Sequence, residues 1–563
     1  MSAASQSTPR PKVHLPQGTV VGTTSQDNYP HAIESFKGIP YALPPVGQRR
    51  FRPPEKVQPS QDTIIDASKF GPRAPAQQFL KLGPTLEESE DCLTVNVFRQ
   101  ARRHNQSTTA PPLLPVAVYF HGGAFNRGNA AMHDTAAMVG WSQLPFIGVS
   151  FGYRIGALGF LPSKMSKEEG VLNLGLKDQI CLLDWVEENI GHFGGDKNSV
   201  TLMGLSAGAH SIGHHILNYS EGKAPKFHRA ILESGAPTSR AVRNPDAEIH
   251  EVQFADFLRE TACPPELSAS DTFTYLRSLP TSAIAAAQTK VFYKYNASLR
   301  WAFQPVIDGE IIRGRPIDAW RNGTWHKVPI MTGFQANEGS LYVDKNMSTS
   351  SEFLAFWKTL LPQLSDSDIQ TIHRLYPDPL SVPDSLYREE RLDQGGGVGP
   401  MYKRIEAAYA QYAYVAPVRQ TAAFASKHVP VYLYHWAMRR DILDGARHGD
   451  NMLYGMRDPA ICMYSKTQDE LSGMLHAYLT SFICTACPNA LSGGEYARRP
   501  EWKAYQYHRD GGVGGRKVMV FGKDNEEFVG RRDVVGAAAL LVEDEYAVKE
   551  SEFWWGKVEL SQQ

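Results

Sequence analysis

The stretch Gly204-Leu205-Ser206-Ala207-Gly208 constrains this chain more than any other. The apolar, β-branched run Ser199-Val200-Thr201-Leu202-Met203 precedes it, bounded upstream by Gly194-Gly195-Asp196, and residues 209–218 have helical character. A strand that turns at once into a helix holds the residue at the turn in a strained conformation, with neighbouring segments close by. Glycine suits positions 204 and 208 because a Cβ at either place would clash. The turn lifts the Ser206 hydroxyl above the sheet, and the helix N-terminus behind it favours negative charge developing there. In isolation the same five residues also read as an ordinary Gly/Ser turn, so the rest of the chain decides.

The 563 residues are 42% hydrophobic and 21% charged, the profile of a large globular protein. No Pro/Ser/Gly-rich linker, low-complexity tract or internal repeat divides them, so a single unit over residues 1–563 is expected. Lys+Arg 58 against Asp+Glu 59 gives a formal charge of −1, which removes the electrostatic case for nucleic acid or an anionic membrane as main partner. Residues 1–12 are polar and lack the apolar core of a secretory signal. The apolar run at 534–542 is too short for a membrane span and reads as a core helix. Cys92, Cys181, Cys263, Cys462, Cys484 and Cys487 show no disulfide framework. The single C-x-x-C at 484–487 lacks a second ligand pair or a redox context, so these read as structural thiols.

Along the chain, residues 18–54 are dense in Pro and Gly and read as an ordered, turning loop. Ser89-Glu90-Asp91-Cys92-Leu93 leads into a strand with Val95 and Val97. Further strands are expected at 116–120, 147–153, 199–203, 229–233, 329–332, 429–434 and 518–521. Between them Leu176, Ile180, Leu183 and Val186 recur at helical spacing. Strands separated by helices imply the α/β class, a mostly parallel sheet covered on both faces. Residues from about 236 to 325 and from about 340 to 425 read as helix-rich insertions of the kind that roof a site and select its substrate.

A serine that transfers acyl groups needs a base, a group to orient the base, and donors for the oxyanion. His121-Gly122-Gly123-Ala124-Phe125 ends the strand at 116–120, where small residues let backbone N–H groups approach a substrate oxygen. Together with Phe36-Lys37-Gly38-Ile39-Pro40-Tyr41-Ala42, the Ser89–Leu93 segment, Tyr153-Arg154-x-Gly156, Asp178-Gln179 and the elbow, these residues resemble the type-B carboxylesterase/cholinesterase family, and within it the fungal members. The resemblance runs from about residue 18 to the last strands. It implies an α/β-hydrolase fold, a large mostly parallel sheet with helical insertions over the active site. It also implies a chain order of serine, acid and histidine. On that order Ser206 is the nucleophile, Glu338 in Gly333-Phe334-Gln335-Ala336-Asn337-Glu338-Gly339 the acid, and His448 in Gly445-Ala446-Arg447-His448-Gly449-Asp450 the base. The oxyanion hole falls to the N–H groups of Gly123, Ala124 and Ala207. His210, His214 and His215, on the helix after the elbow, read as packing or pocket-lining residues.

What the resemblance implies is hydrolysis of a small neutral or apolar carboxylic ester through an acyl-enzyme, with no cofactor and no metal. An acyltransferase or lactone-forming enzyme would use the same acyl-enzyme with an alcohol in place of water. A non-catalytic, cholinesterase-like binding protein is the third class, and the survival of all three triad positions weighs against it. The oligomeric state is left open.

The chain also departs from that family. Secreted members pair the cysteine equivalent to Cys92 with one about twenty residues earlier, but here that stretch reads Ala74-Pro75-Ala76-Gln77. A second family loop would put a cysteine near Cys263 and another where Tyr275 stands. Two orphaned cysteines and the polar start imply a reducing, cytoplasmic location, against a weak pull from N-x-S/T tripeptides at Asn105, Asn218, Asn296, Asn322 and Asn346. No tryptophan occurs between 74 and 92, where cholinesterases carry their choline-stacking ring. Leu205 stands where many relatives have glutamate. The resemblance further implies scaffold ion pairs between Arg50 and Glu90 and between Arg154 and Asp178.

Overall fold

A computed structural model describes residues 10–561 apart from 27–28, 78–81, 102–111, 240–241, 389–396, 492–495, 497 and 508–514. Its strands are β1 (Lys12–Leu15), β2 (Gly18–Val21), β3 (Thr23–Ser25), β4 (Ile33–Pro40), β5 (Ile64–Asp66), β6 (Thr94–Gln100), β7 (Leu114–Phe120), β8 (Ile147–Phe151), β9 (Gly195–Leu205), β10 (Arg229–Glu233), β11 (Ile330–Gln335), β12 (Val431–Trp436), β13 (Lys517–Lys523) and β14 (Ala537–Glu543). Strands β1, β2 and β5 form a small sheet, and the others form one sheet in the order β14-β13-β12-β11-β10-β9-β7-β8-β6-β4-β3. From β13 through β8 every pairing is parallel, and both flanks are antiparallel. A parallel centre must be covered on both faces, so its strands are apolar on both sides. Strands β8 and β11 are accordingly buried along their whole length.

Helices Leu174–Asn189 and Ala207–Leu217 pack on one face of the sheet and Thr135–Trp141 and Lys466–Thr485 on the other, each against its own apolar cluster. A third cluster, built from Trp301, Trp357, Tyr409, Tyr414 and Trp554 among others, lies away from the sheet and includes Ala124. Helices Glu248–Glu260, Ala269–Ser278, Thr281–Asn296 and Pro316–Asn322 sit between β10 and β11. Helices Ser350–Leu360, Asp366–Leu375, Tyr402–Ala410 and Ala416–Ala425 sit between β11 and β12. Two of these start on capping boxes, Thr349 with Glu352 and Ser365 with Asp368. A π-helical turn, Gln411–Val415, joins Tyr402–Ala410 to Ala416–Ala425. Pro417 follows it, and a widened turn relieves the clash and the missing donor that proline brings into a helix.

Two sequence expectations are corrected. Residues 18–54 are not one loop, because β2, β3 and β4 form there. Gly38 sits at φ +71° in β4, where the register with β6 shifts between Phe36 and Ile39, so the glycine marks a bulge within a strand. The run at 534–542 is not a helix. Its alanines favour one, but β13 offers a free edge, and antiparallel pairing from Lys517↔Glu543 to Lys523↔Ala537 wins.

The expected ion pairs form, each bidentate and buried: Arg50 to Glu90 at 2.8 and 2.5 Å, and Arg154 to Asp178 at 2.8 and 2.6 Å. Arg50 also donates to the carbonyls of Leu276, Arg277 and Leu279, tying the end of helix Ala269–Ser278 to the N-terminal third. All six cysteines are free. Tyr275 donates its hydroxyl to the carbonyls of Thr261 (2.9 Å) and Ala262 (3.0 Å), immediately before Cys263. Two hydrogen bonds thus join the loop where the family resemblance puts a disulfide.

Candidate active site

Ser206 ends β9 with φ 58° and ψ −121°, a backbone region that side chains avoid. Neighbours on both sides hold it there: Ser206 N–H donates to the Glu233 carbonyl and His210 N–H to the Ser206 carbonyl, both at 2.9 Å. A Cβ on Gly204 would lie 2.8 Å from the carbonyl oxygen of Phe120, and one on Gly208 would run into that same oxygen. The end of β7 therefore dictates both glycines. Helix Ala207–Leu217 begins at once and aims its N-terminal dipole at the serine.

Strand β11 delivers Glu338 one turn past its end, and the loop after β12 delivers His448. Glu338 is fully buried; its Oε2 accepts from Nδ1 of His448, while its Oε1 accepts from Gln335 N–H at 2.8 Å. With its proton on Nδ1, the imidazole keeps Nε2 as a base. That nitrogen is buried and has no hydrogen-bond partner among the described residues. Asn337 zips the two loops together: its N–H donates to the Ala446 carbonyl (3.0 Å) and its Oδ1 accepts from Ala446 N–H (3.1 Å). The histidine loop meets the elbow directly, since a Cβ on Gly449 would stand 3.1 Å from Cδ2 of Leu205. Tyr414 and Tyr342 close over the imidazole, with ring centroids 4.7 and 5.4 Å from it.

The loop after β7 passes over the nucleophile so closely that a Cβ on Gly122 would come within 3.2 Å of the Ser206 Cβ. Gly123 (φ 116°), Ala124 (φ 57°) and Phe125 (φ 61°) give it a left-handed path. The Ala124 carbonyl is held by Asn126 Nδ2 and Gln304 Nε2, both at 2.9 Å, and the Phe125 carbonyl by Gly156 N–H at 2.7 Å. The N–H groups of Gly123, Ala124 and Ala207 make no loop or side-chain hydrogen bond among the described residues. Three donors above one buried hydroxyl, beside an oriented imidazole, can stabilise a tetrahedral oxyanion.

A supporting layer was not legible in the sequence. Asn451 donates to Glu233 Oε1 at 2.6 Å and accepts from Gln335 Nε2 at 2.5 Å, so β10, β11 and the histidine loop share one network. Glu406 accepts from Gly339 N–H and from Asn337 Nδ2, both at 3.1 Å, bracing the turn that carries Glu338. Burial pushes both Glu233 and Glu406 up to about 8. For Glu406 the neighbouring charge of Glu338 adds to the rise. The one signal in the sequence was the position of Glu406 within the apolar run Ile405-Glu406-Ala407-Ala408. His210, His214 and His215 are all buried in packing roles, with His210 Nδ1 at the backbone of Ala236 and His215 Nε2 2.8 Å from Gln179. Among the described residues no His/Cys/Asp/Glu group is arranged to hold a metal, and no helix is long and apolar enough to cross a membrane.

Residues 9–514 match the family model described as the carboxylesterase family. The chain is 35% identical over 494 residues to secreted lipase 4 of Gibberella zeae, covering 86% of this chain and 84% of that one. It is 31% identical over 463 residues to lipase 2 of Geotrichum candidum, covering 75% and 80%. The crystal structure of EstA from Aspergillus niger superposes with a TM-score of 0.80 at 25% identity, over 98% of this chain and 99% of that one. Sheet order and elbow make the molecule an α/β-hydrolase, and its relatives make it a carboxylic ester hydrolase. The chain belongs to the carboxylesterase family, the type-B carboxylesterase/cholinesterase group.

Proposed function

We propose that Ser206, His448 and Glu338 hydrolyse a carboxylic ester with an apolar body through an acyl-enzyme. The observation that carries this is the oriented imidazole, bound at Nδ1 by Glu338 and open at a buried Nε2, on a loop packed against the elbow. His448 takes the Ser206 proton as Oγ attacks the ester carbonyl, then returns it to the leaving alcohol. Glu338 fixes the tautomer and stabilises the imidazolium. The tetrahedral oxygen accepts from the N–H groups of Gly123, Ala124 and Ala207, each worth about 3 kcal/mol in a site closed to water. Water then releases the acid, and these steps call on no cofactor. Tyr342, Tyr414 and Phe125 around the site support an apolar ester, as do relatives named lipases.

Ser206→Ala should lower turnover of p-nitrophenyl butyrate by about four orders of magnitude while the circular dichroism spectrum stays unchanged. A fluorophosphonate should label wild type at Ser206 and leave the variant untouched. Retention of more than a few per cent of turnover in the variant overturns the assignment. For the compartment we propose the cytoplasm, on the six free thiols. The Gibberella zeae relatives named secreted lipases lean toward export, and recovery of the native protein outside the cell would overturn this proposal.

A further inference from the structure

Apart from the elbow, helix Glu248–Glu260, the end of helix Ser350–Leu360, segment 299–304 and the π turn enclose a cavity of about 570 Å³, counting its mouth. That is the size of a small-molecule subsite. Leu299, Trp301 and Leu361 give it apolar walls, while Arg243, Arg300 and His250 line its polar side. No aspartate or glutamate lines it.

His250 is the informative residue. It is 4% exposed, and neither Nδ1 nor Nε2 closes a hydrogen bond among the described residues. Oε1 of Gln253, on the same helix, is also unmet, its amide nitrogen being spent on the Arg300 carbonyl at 2.8 Å. A buried polar ring left this way costs stability unless something from outside the chain answers it. Burial holds the ring low, at about 3, and the fields of Arg243 and Arg300 push the same way. A neutral imidazole therefore presents one N–H beside two permanent cations. Such a set repels a cation and offers charge-assisted bonds to an anion.

The cavity adjoins the reacting groups. Gln304 in its wall donates to the Ala124 carbonyl of the oxyanion loop at 2.9 Å. Only the ring of Tyr342 stands between Trp301 and His448, with centroids 5.4 Å from each. We infer that this cavity is a subsite for a carboxylate at the far end of the substrate's acyl chain, so that the enzyme accepts half-esters of dicarboxylic acids. The substrate is then neutral where it reacts and anionic where it is recognised. The inference rests on the esterase reading above and adds a recognition element to it.

The test compares kcat/KM for mono-p-nitrophenyl suberate with that for p-nitrophenyl nonanoate, a neutral ester of similar length. Wild type should favour the anionic ester by about tenfold, the ratio one charge-assisted contact supports. Arg300→Gln and His250→Phe should each bring that ratio toward one, and Arg300→Lys should restore part of it. Calorimetry of monomethyl suberate on Ser206→Ala reads the subsite without turnover, and Arg300→Gln in that background should weaken binding about tenfold. If p-nitrophenyl butyrate is cleaved but the anionic ester is not favoured and monomethyl suberate does not bind, the subsite is wrong and the esterase reading stands. If octanoate, a simple product acid, binds as well as monomethyl suberate, the carboxylate is not that of the substrate's far end and the inference is likewise overturned. Binding that depends on Arg300 in a protein without turnover upholds the subsite and sinks the esterase reading instead.

Discussion

Glu233 ends β10 with its backbone carbonyl on the Ser206 amide and its carboxyl buried under Asn451, one oxygen bonded and the other unmet. Burial raises this carboxyl from its ordinary 4.5 to about 8, so it is neutral in the fold at neutral pH. The sign follows from linkage: a raised acid contributes stability that is complete below its unfolded value and is lost as pH climbs through the folded one. Between about pH 5 and 9 the urea midpoint should therefore fall, and Glu233→Gln, which mimics the neutral form, should recover more than about 1 kcal/mol at the alkaline end. Equal midpoint slopes in both proteins would show Glu233 already ionised. None of this was legible in the sequence, where Glu233 is one acid of many. Only tertiary burial distinguishes it. Ser206, Glu338 and His448 were legible because a turn geometry and two strand ends leave a pattern in neighbouring residues.

At the scale of the element, the loop at 121–128 makes a sharper statement about substrates than its glycines alone. The Ala124 carbonyl, which would otherwise narrow the approach, is occupied by Asn126 and Gln304. The space beside the oxyanion donors thus stays open to a branched alcohol. Wild type should hydrolyse a tert-butyl ester measurably alongside faster turnover of primary-alcohol esters. Ala124→Leu should suppress the tertiary ester first, since φ 57° is costly for a larger side chain. Primary esters cleaved well with no trace of tertiary turnover would mean that the roof decides access. Strand identities in the parallel centre were legible because burial on both faces writes continuous apolar runs. The flanks were not: β4 carries a bulge at Gly38, and β14 forms from a helix-favouring run because β13 needs a partner.

For the whole molecule, the free thiols and Tyr275 set how the roof is fastened. Arg50 grips the end of helix Ala269–Ser278 through three carbonyls, and Tyr275 ties its middle to the Thr261–Ala262 turn. Neither fastening depends on redox conditions. Denatured protein should titrate six thiols with and without prior reductant, and any deficit without reductant would contradict the free state of all six. Tyr275→Phe should lower stability by about 1 kcal/mol, measured by chemical denaturation, with the same loss in oxidising and reducing buffer.

The π turn at Gln411–Val415 has a consequence for chain length. It sets Tyr412 against the far cavity and Tyr414 against His448, and ahead of it Arg419 reaches a buried pair with Asp544 at 2.7 Å. Removing one residue there would restore a regular helix and swing everything beyond it by about 100° about the axis, carrying Arg419 away from Asp544. Substitutions inside the turn disturb one contact each, whereas a gap of one disturbs them all. Across related chains, alignment gaps should avoid residues 402–425 and gather instead in loops where length is free to drift.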